Sequence, residues 1–144
     1  PIAFLSSYED EVQFDDTVWI NRVTSGHEKK SNLTLYAESN GKLVGMLGAN
    51  WSDRAKIQHI VNIYSVYVTP PMRGQGIGAK LVQSILDELR NLPRIEKVKL
   101  TVTDTQTAAY ALYEKFGFKA VGIAQKELKL DDTYFNEIHM EMFL

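Results

Sequence analysis

Between residues 77 and 89 apolar side chains return at helical spacing, at Ile77, Leu81, Val82, Ile85, Leu86 and Leu89. That stripe predicts an amphipathic helix to about residue 91, where Leu92-Pro93 stops it. Elsewhere the period drops to two. Val98, Leu100 and Val102 alternate with polar residues in 97–103, which predicts a strand. Two β-rich runs, 33–39 and 42–52, flank Asn40-Gly41. An Asn-Gly pair supplies the positive φ angles of a type I′ turn, so these runs predict a hairpin. A longer strand is expected over 56–68, ended by Pro70-Pro71.

A second helix is expected over 105–116, capped by Asp104 or Thr105 and followed by Gly117 in the C′ position. Closing strands over 118–130 and 133–143 flank a turn at Asp131-Asp132. Residues 6–24 read as a helix, with Asp15 or Asp16 capping ahead of Val18, Trp19, Ile20 and Val23. A start at Pro1 rather than Met leads us to expect missing native N-terminal residues, a first strand among them. The order of elements predicts one α/β (α+β) domain over residues 1–144, with a mixed, mostly antiparallel twisted sheet flanked by helices.

Composition narrows the function. The chain has 144 residues, 44% hydrophobic and 24% charged, with net charge −2, so clustered basic residues for nucleic acid are not expected. It has no cysteine, which removes disulfides and thiolate chemistry and fits a cytoplasmic location. No apolar run reaches membrane-spanning length, so no membrane partner is expected. His27, His59 and His139 lack metal-ligand spacing, so no metal is expected.

The chemistry concentrates at Arg73, Gly74, Gln75, Gly76, Ile77, Gly78 and Ala79, between a strand and a helix. There the backbone N–H groups and the helix dipole converge on one anion-binding spot. A Walker A loop is excluded because Gly78 is followed by Ala79-Lys80-Leu81. A dinucleotide fingerprint fits the spacing of Gly74, Gly76 and Ala79, with Glu96 about twenty residues on. It fails on context, because residues 69–73 separate the strand from the glycines and Glu96 precedes the next strand.

The segment 73–78 instead satisfies Arg/Gln-x-x-Gly-x-Gly/Ala, and residues 109–118, AYALYEKFGF, follow the pattern A-x-x-LYEK-x-GF. With Val66-Tyr67-Val68 upstream and Asn136–Glu141 as the closing strand, the sequence from about 33 onward resembles the GNAT superfamily of N-acyltransferases. That resemblance implies acetyl-CoA as cosubstrate and direct transfer of its acetyl group to a primary amine through a tetrahedral intermediate. It implies that Arg73 to Ala79 hold the pyrophosphate and that Val66, Tyr67 and Val68 pair with the pantetheine arm. It places Gln106, Ala109 and Tyr113 along the cofactor, with Gln106 where the family usually carries Asn. It also implies a backbone N–H, of Val66 or Val68, on the oxyanion, and Tyr113 as general acid toward the leaving thiolate.

The base is left open. No acidic residue stands on 56–68, so a water relay is the expectation, with His59, Glu137 and His139 as alternatives. Strict alternation puts Ile60, Asn62, Tyr64, Val66 and Val68 on one face of that strand. The acceptor is expected to be a small-molecule or peptide amine. The family's habits make a homodimer an expectation, and a non-catalytic acyl-CoA-binding module is the alternative function.

Overall fold

The structure, a computed structural model, describes residues 31–144. The helix expected over 6–24 and any strand before it lie outside the described residues. Six strands form one sheet: β1 (Asn32–Ser39), β2 (Lys42–Trp51), β3 (Ile60–Val68), β4 (Lys97–Thr103), β5 (Lys119–Leu130) and β6 (Thr133–Phe143). Their spatial order is β1-β2-β3-β4-β6-β5. Only β3 and β4 pair in parallel, and every other neighbouring pair is antiparallel. Helix α1 (Ile77–Arg90) crosses over between β3 and β4, and α2 (Thr107–Lys115) follows β4.

Local chemistry explains most of these boundaries. Asn40 (φ 51) and Gly41 (φ 73) make the left-handed turn that joins β1 to β2. The predicted strand over 56–68 begins only at Ile60. Residues 54–59 form turns, with Ile57 N–H donating to Arg54 O (2.9 Å) and Ile60 N–H to Ile57 O (3.1 Å). The reason is partnership: β2 ends at Trp51, opposite Val61, so the earlier residues have no strand to join.

One core holds the layers together. On α1, Leu81, Val82, Ile85, Leu86 and Leu89 are buried against Leu47, Ala49, Val61, Ile63, Val98, Leu100 and Val102 of the sheet. Each such side chain contributes roughly 1.5–3 kcal/mol by leaving water, which is why this helix takes the stripe read from its sequence. Gly45 lets α1 sit close, because a Cβ there would lie 3.0 Å from Tyr67 O and 3.3 Å from Leu81 Cδ1.

The cap of α2 differs from expectation. Gln106 occupies the N-cap without a side-chain bond, while Asp104 accepts a hydrogen bond from Asn136 Nδ2 (2.8 Å). Asn136 Oδ1 in turn accepts from Lys126 N–H (2.9 Å), at a residue with φ 55. This carboxamide therefore fastens the β5–β6 hairpin to the end of β4, and Asp104 is diverted from capping to that bond.

The other end of α2 is as expected. Gly117 takes φ 96, its N–H donates to Glu114 O (3.0 Å), and Phe118 N–H reaches Tyr113 O (3.1 Å). This is a Schellman motif, and its hydrophobic contact is the edge-on packing of Phe118 against Tyr113, with centroids 5.9 Å apart. Helix termination thus fixes Tyr113. Replacing Gly117 with Ala forces a Cβ into the left-handed region, costing about 1–2 kcal/mol. Urea unfolding of Gly117→Ala should show a lower midpoint with an unchanged slope, and an unchanged midpoint would contradict this account of the cap.

Candidate active site

The site begins where two strands part. β3 and β4 pair at Ile60↔Lys97, Val61↔Val98 and Asn62↔Lys99, and there the ladder stops. β3 nevertheless runs on to Val68 and β4 to Thr103. Each keeps its other neighbour: β4 pairs with β6 from Lys97↔Phe143 to Thr103↔Glu137, and β3 stays on β2 as far as Gly45↔Val68. The result is a wedge between 63–68 and 100–103. The parting starts just past Asn62, several residues before the end of β3 at Val68. Backbone groups along such an edge need a partner from elsewhere, and an extended amide-bearing chain supplies one.

A bulge shapes the free part of β3. Gly48 pairs with Tyr64 but Met46 pairs with Tyr67, so Leu47 faces two residues, Ser65 and Val66. Ser65 has φ 50, a conformation that costs a non-glycine residue energy and is common at bulges beside functional sites. The extra residue resets the alternation. Val66 and Val68 turn to the core side with Val61 and Ile63, and Tyr64 stays on the opposite, outer face. The single face predicted for Tyr64, Val66 and Val68 is therefore corrected.

The glycine loop lies directly beyond the tip of β3. Pro70–Met72 make a short 3-10 turn, and Arg73 folds back so that its Nε donates to Val68 O (2.9 Å). The same guanidinium lies 5.8 Å from the Tyr67 ring centroid. Gln75 Nε2 donates to Pro71 O (3.3 Å). These bonds tie the loop to the strand end.

The three glycines serve two purposes. Gly74 (φ 75) and Gly76 (φ 80) adopt left-handed backbone, and a Cβ on either would meet nothing within 4 Å. Conformation, rather than crowding by the protein, demands glycine there. Gly78 instead packs, since its Cβ would touch Leu112 Cδ2 at 3.5 Å and Val68 Cγ2 at 4.0 Å. Gly76 caps α1, and the first intrahelical donor is Lys80 N–H, to Gly76 O (3.0 Å). The N–H groups of Ile77, Gly78 and Ala79 therefore have no acceptor inside the helix, and they sit at its positive end.

Helix α2 forms the facing wall. Gln106 is exposed at its start, Ala109 is half-buried against the core, and Tyr113 is 5% exposed. Burial pushes the Tyr113 phenol up to about 12, and its hydroxyl has no hydrogen-bond partner among the described residues. Contacts from Gly78 to Leu112 and Val68 bring loop, α2 and β3 tip together on the core side of the sheet.

The base candidates are scattered. His59 stands at the closed end, where its carbonyl accepts from Glu96 N–H (3.0 Å) and Lys97 N–H (3.1 Å), away from the wedge. His139 lies opposite Thr101, and Glu137 opposite Thr103, both on β6 and so one strand beyond β4 from the opening. Among the described residues no group of three His, Cys, Asp or Glu is arranged to hold a metal. Sequence reading missed the bulge and the contact of Tyr64 with Gly48. The glycines inside β2 were the available signal, since glycine in a strand marks a bulge or a close approach.

Comparison with known proteins agrees with this geometry. Residues 2–118 match the model of the acetyltransferase (GNAT) family. The chain is 22% identical over 125 residues to L-amino acid N-acetyltransferase AaaT of Escherichia coli, covering 87% of this chain and 75% of that protein. It is 33% identical over 100 residues to N-alpha-acetyltransferase RimI of Mycobacterium tuberculosis, covering 68% of this chain and 60% of the relative. A match to mycothiol acetyltransferase of Salinispora tropica, 33% over 84 residues, covers 58% of this chain and 27% of that protein. In fold, the chain superposes on the ribosomal-protein-alanine N-acetyltransferase of Brucella melitensis with TM-score 0.84 at 21% identity, covering 99% of this chain and 85% of that one. It superposes with TM-score 0.83 at 20% identity on yncA of Salmonella typhimurium, a putative acetyltransferase solved with its cofactor acetyl-CoA, covering 99% and 79%. The parted strands, the glycine-capped helix and the matched span together make this chain a member of the GNAT acetyltransferase family.

Proposed function

We propose that the protein transfers the acetyl group of acetyl-CoA to a primary amine. The interrupted β3–β4 ladder beside a glycine-capped helix carries this reading. The N–H groups of Ile77, Gly78 and Ala79, with the loop from Arg73 to Gly76, would hold the pyrophosphate. The free edge of β3 at Val66, Tyr67 and Val68 would pair with the pantetheine arm, opposite Gln106, Ala109 and Tyr113. Bound there, acetyl-CoA supplies an activated thioester. The Val66 N–H is assigned to the oxyanion, where one preorganised donor is typically worth about 3 kcal/mol.

Tyr113 is assigned to the leaving sulfur. With its phenol at about 12, against ~8.5 for a simple thiol, handing its proton to the departed thiolate is uphill by roughly 5 kcal/mol. Tyr113 therefore acts by donating a hydrogen bond to the sulfur as its bond to carbon breaks, so that CoA departs as a hydrogen-bonded thiolate and takes its proton from solvent. An incoming alkyl ammonium, with pKa ~10, must lose a proton before attack, and a water relay past the outer strand residues is the assigned route. The named relatives are described as acting on different acceptors. A binding module without turnover would retain affinity for acetyl-CoA and release no thiol.

Three outcomes test this reading. Mixed with acetyl-CoA and a panel of amines, the protein should release free thiol, and binding without release would favour the non-catalytic module. Tyr113→Phe should keep acetyl-CoA affinity and lower kcat about 10²-fold, with wild-type turnover removing Tyr113 from the chemistry. Gly76→Val places a β-branched residue at φ 80, and calorimetry should show acetyl-CoA affinity lowered by about tenfold or more with the helical signal retained.

The Tyr113 shift also sets a pH response. Below pH 10 the phenol is neutral in folded and unfolded chains alike, and between 10 and 12 the unfolded chain loses the proton first. Stability therefore falls through that interval, by up to roughly 2–3 kcal/mol. Urea titrations at either end of the interval should show this component in wild type and its loss in Tyr113→Phe.

A further inference from the structure

The cofactor elements lie on one side of the sheet. Gly78 at the start of α1 touches both Leu112 of α2 and Val68 at the β3 tip, and the buried faces of both helices belong to the same core. With the cofactor held there, the described residues leave the wedge between β3 and β4 open to an acceptor through its outer mouth.

Few of the described side chains border that mouth. Val61 and Ile63 are buried in the core, so alternation sends Asn62 and Tyr64 outward from β3, as it sends Thr101 outward from β4. Asn62 is level with the last ladder pair, which makes Tyr64 the first outward side chain beside the open wedge. Past it the bulge turns Val66 and Val68 to the core, and Tyr67 lies under the Arg73 guanidinium.

Tyr64 is held in an unusual way. Its ring lies down over the backbone of Gly48, its cross-strand partner, because a Cβ on Gly48 would come within 2.5 Å of Cζ and 2.6 Å of Cε2. The ring therefore leans over β2 and leaves the mouth clear. The residue is 39% exposed, so the ring covers Gly48 and still presents surface to solvent. A ring standing upright on the strand surface would leave Gly48 without a purpose.

We propose that Tyr64, seated on Gly48, is the floor on which the acceptor's side chain rests, and that it selects amines bearing an apolar or aromatic substituent. The assignment rests on the acetyl-transfer reading above. A flat, partly desolvated ring face rewards an apolar group laid on it and offers little to a short alkyl chain. The attacking nitrogen sits over the wedge, and its substituent extends across β2.

The test compares phenethylamine with ethylamine as acceptors at saturating acetyl-CoA, read as thiol release, with acetyl-CoA affinity measured separately by calorimetry. Wild type should prefer phenethylamine by about tenfold or more in kcat/KM, the scale of discrimination one apolar contact supplies. Tyr64→Phe should keep that preference, and Tyr64→Ala should lose it through a raised phenethylamine KM, both with acetyl-CoA affinity unchanged. Gly48→Ala should lift the ring toward the mouth and raise KM for phenethylamine while sparing acetyl-CoA. Intact acetyl-CoA binding with no wild-type preference, with no acetylation of either amine, or with preference retained in Tyr64→Ala, overturns the floor assignment alone. Wild type that fails to bind acetyl-CoA overturns the transferase reading and this inference with it.

Discussion

The structure depends on two parallel strands that stop pairing. β3 and β4 share three register positions and then separate, each still anchored on its far side. A sheet interior normally satisfies every backbone amide, so a ladder broken inside it leaves groups that a ligand's amides are suited to meet. The crossover after β3 then begins a helix at the mouth of that gap, where the helix's free N–H groups add positive potential. One topological event thus sets side by side an edge suited to an amide-bearing arm and an end suited to a phosphate.

The surrounding residues keep that gap in shape. Arg73 bonds the loop to Val68 O, Asn136 joins the end of β4 to the β5–β6 hairpin, and the Lys97–Glu141 ion pair lies at the closed end. Each is a single contact, and the half-buried Lys97–Glu141 pair is weak evidence for stability by itself. Their effect here is positional, since each fixes one boundary of the wedge against the rigid core beneath α1.

Tyr113 shows how packing and proposed chemistry constrain each other. The Schellman cap and Phe118 hold the ring, and the burial that holds it also makes the phenol a weaker acid. Under the proposed reading, that favours a hydrogen-bond donor fixed in place over an ionising one. The bulge at Ser65 is a comparable trade, in which a strained residue turns two valines inward and leaves Tyr64 outward.

Much of this was legible in the chain itself. Asn40-Gly41, the stripe from Ile77 to Leu89, and Gly117 each act through neighbours a few residues away, so their turn, helix and cap follow from local rules. The glycine loop was readable for the same reason, because positive φ at Gly74 and Gly76 is a local demand. Strand 56–68 was misjudged at its start and on its faces because pairing depends on partners distant in sequence. Only the assembled sheet decides that β2 ends opposite Val61, that β4 leaves after Asn62, that Ser65 is extruded, and that a tyrosine lies down over Gly48. Local hydrogen bonding and periodicity are written residue by residue, whereas the place where two strands part is fixed by everything packed on either side of them.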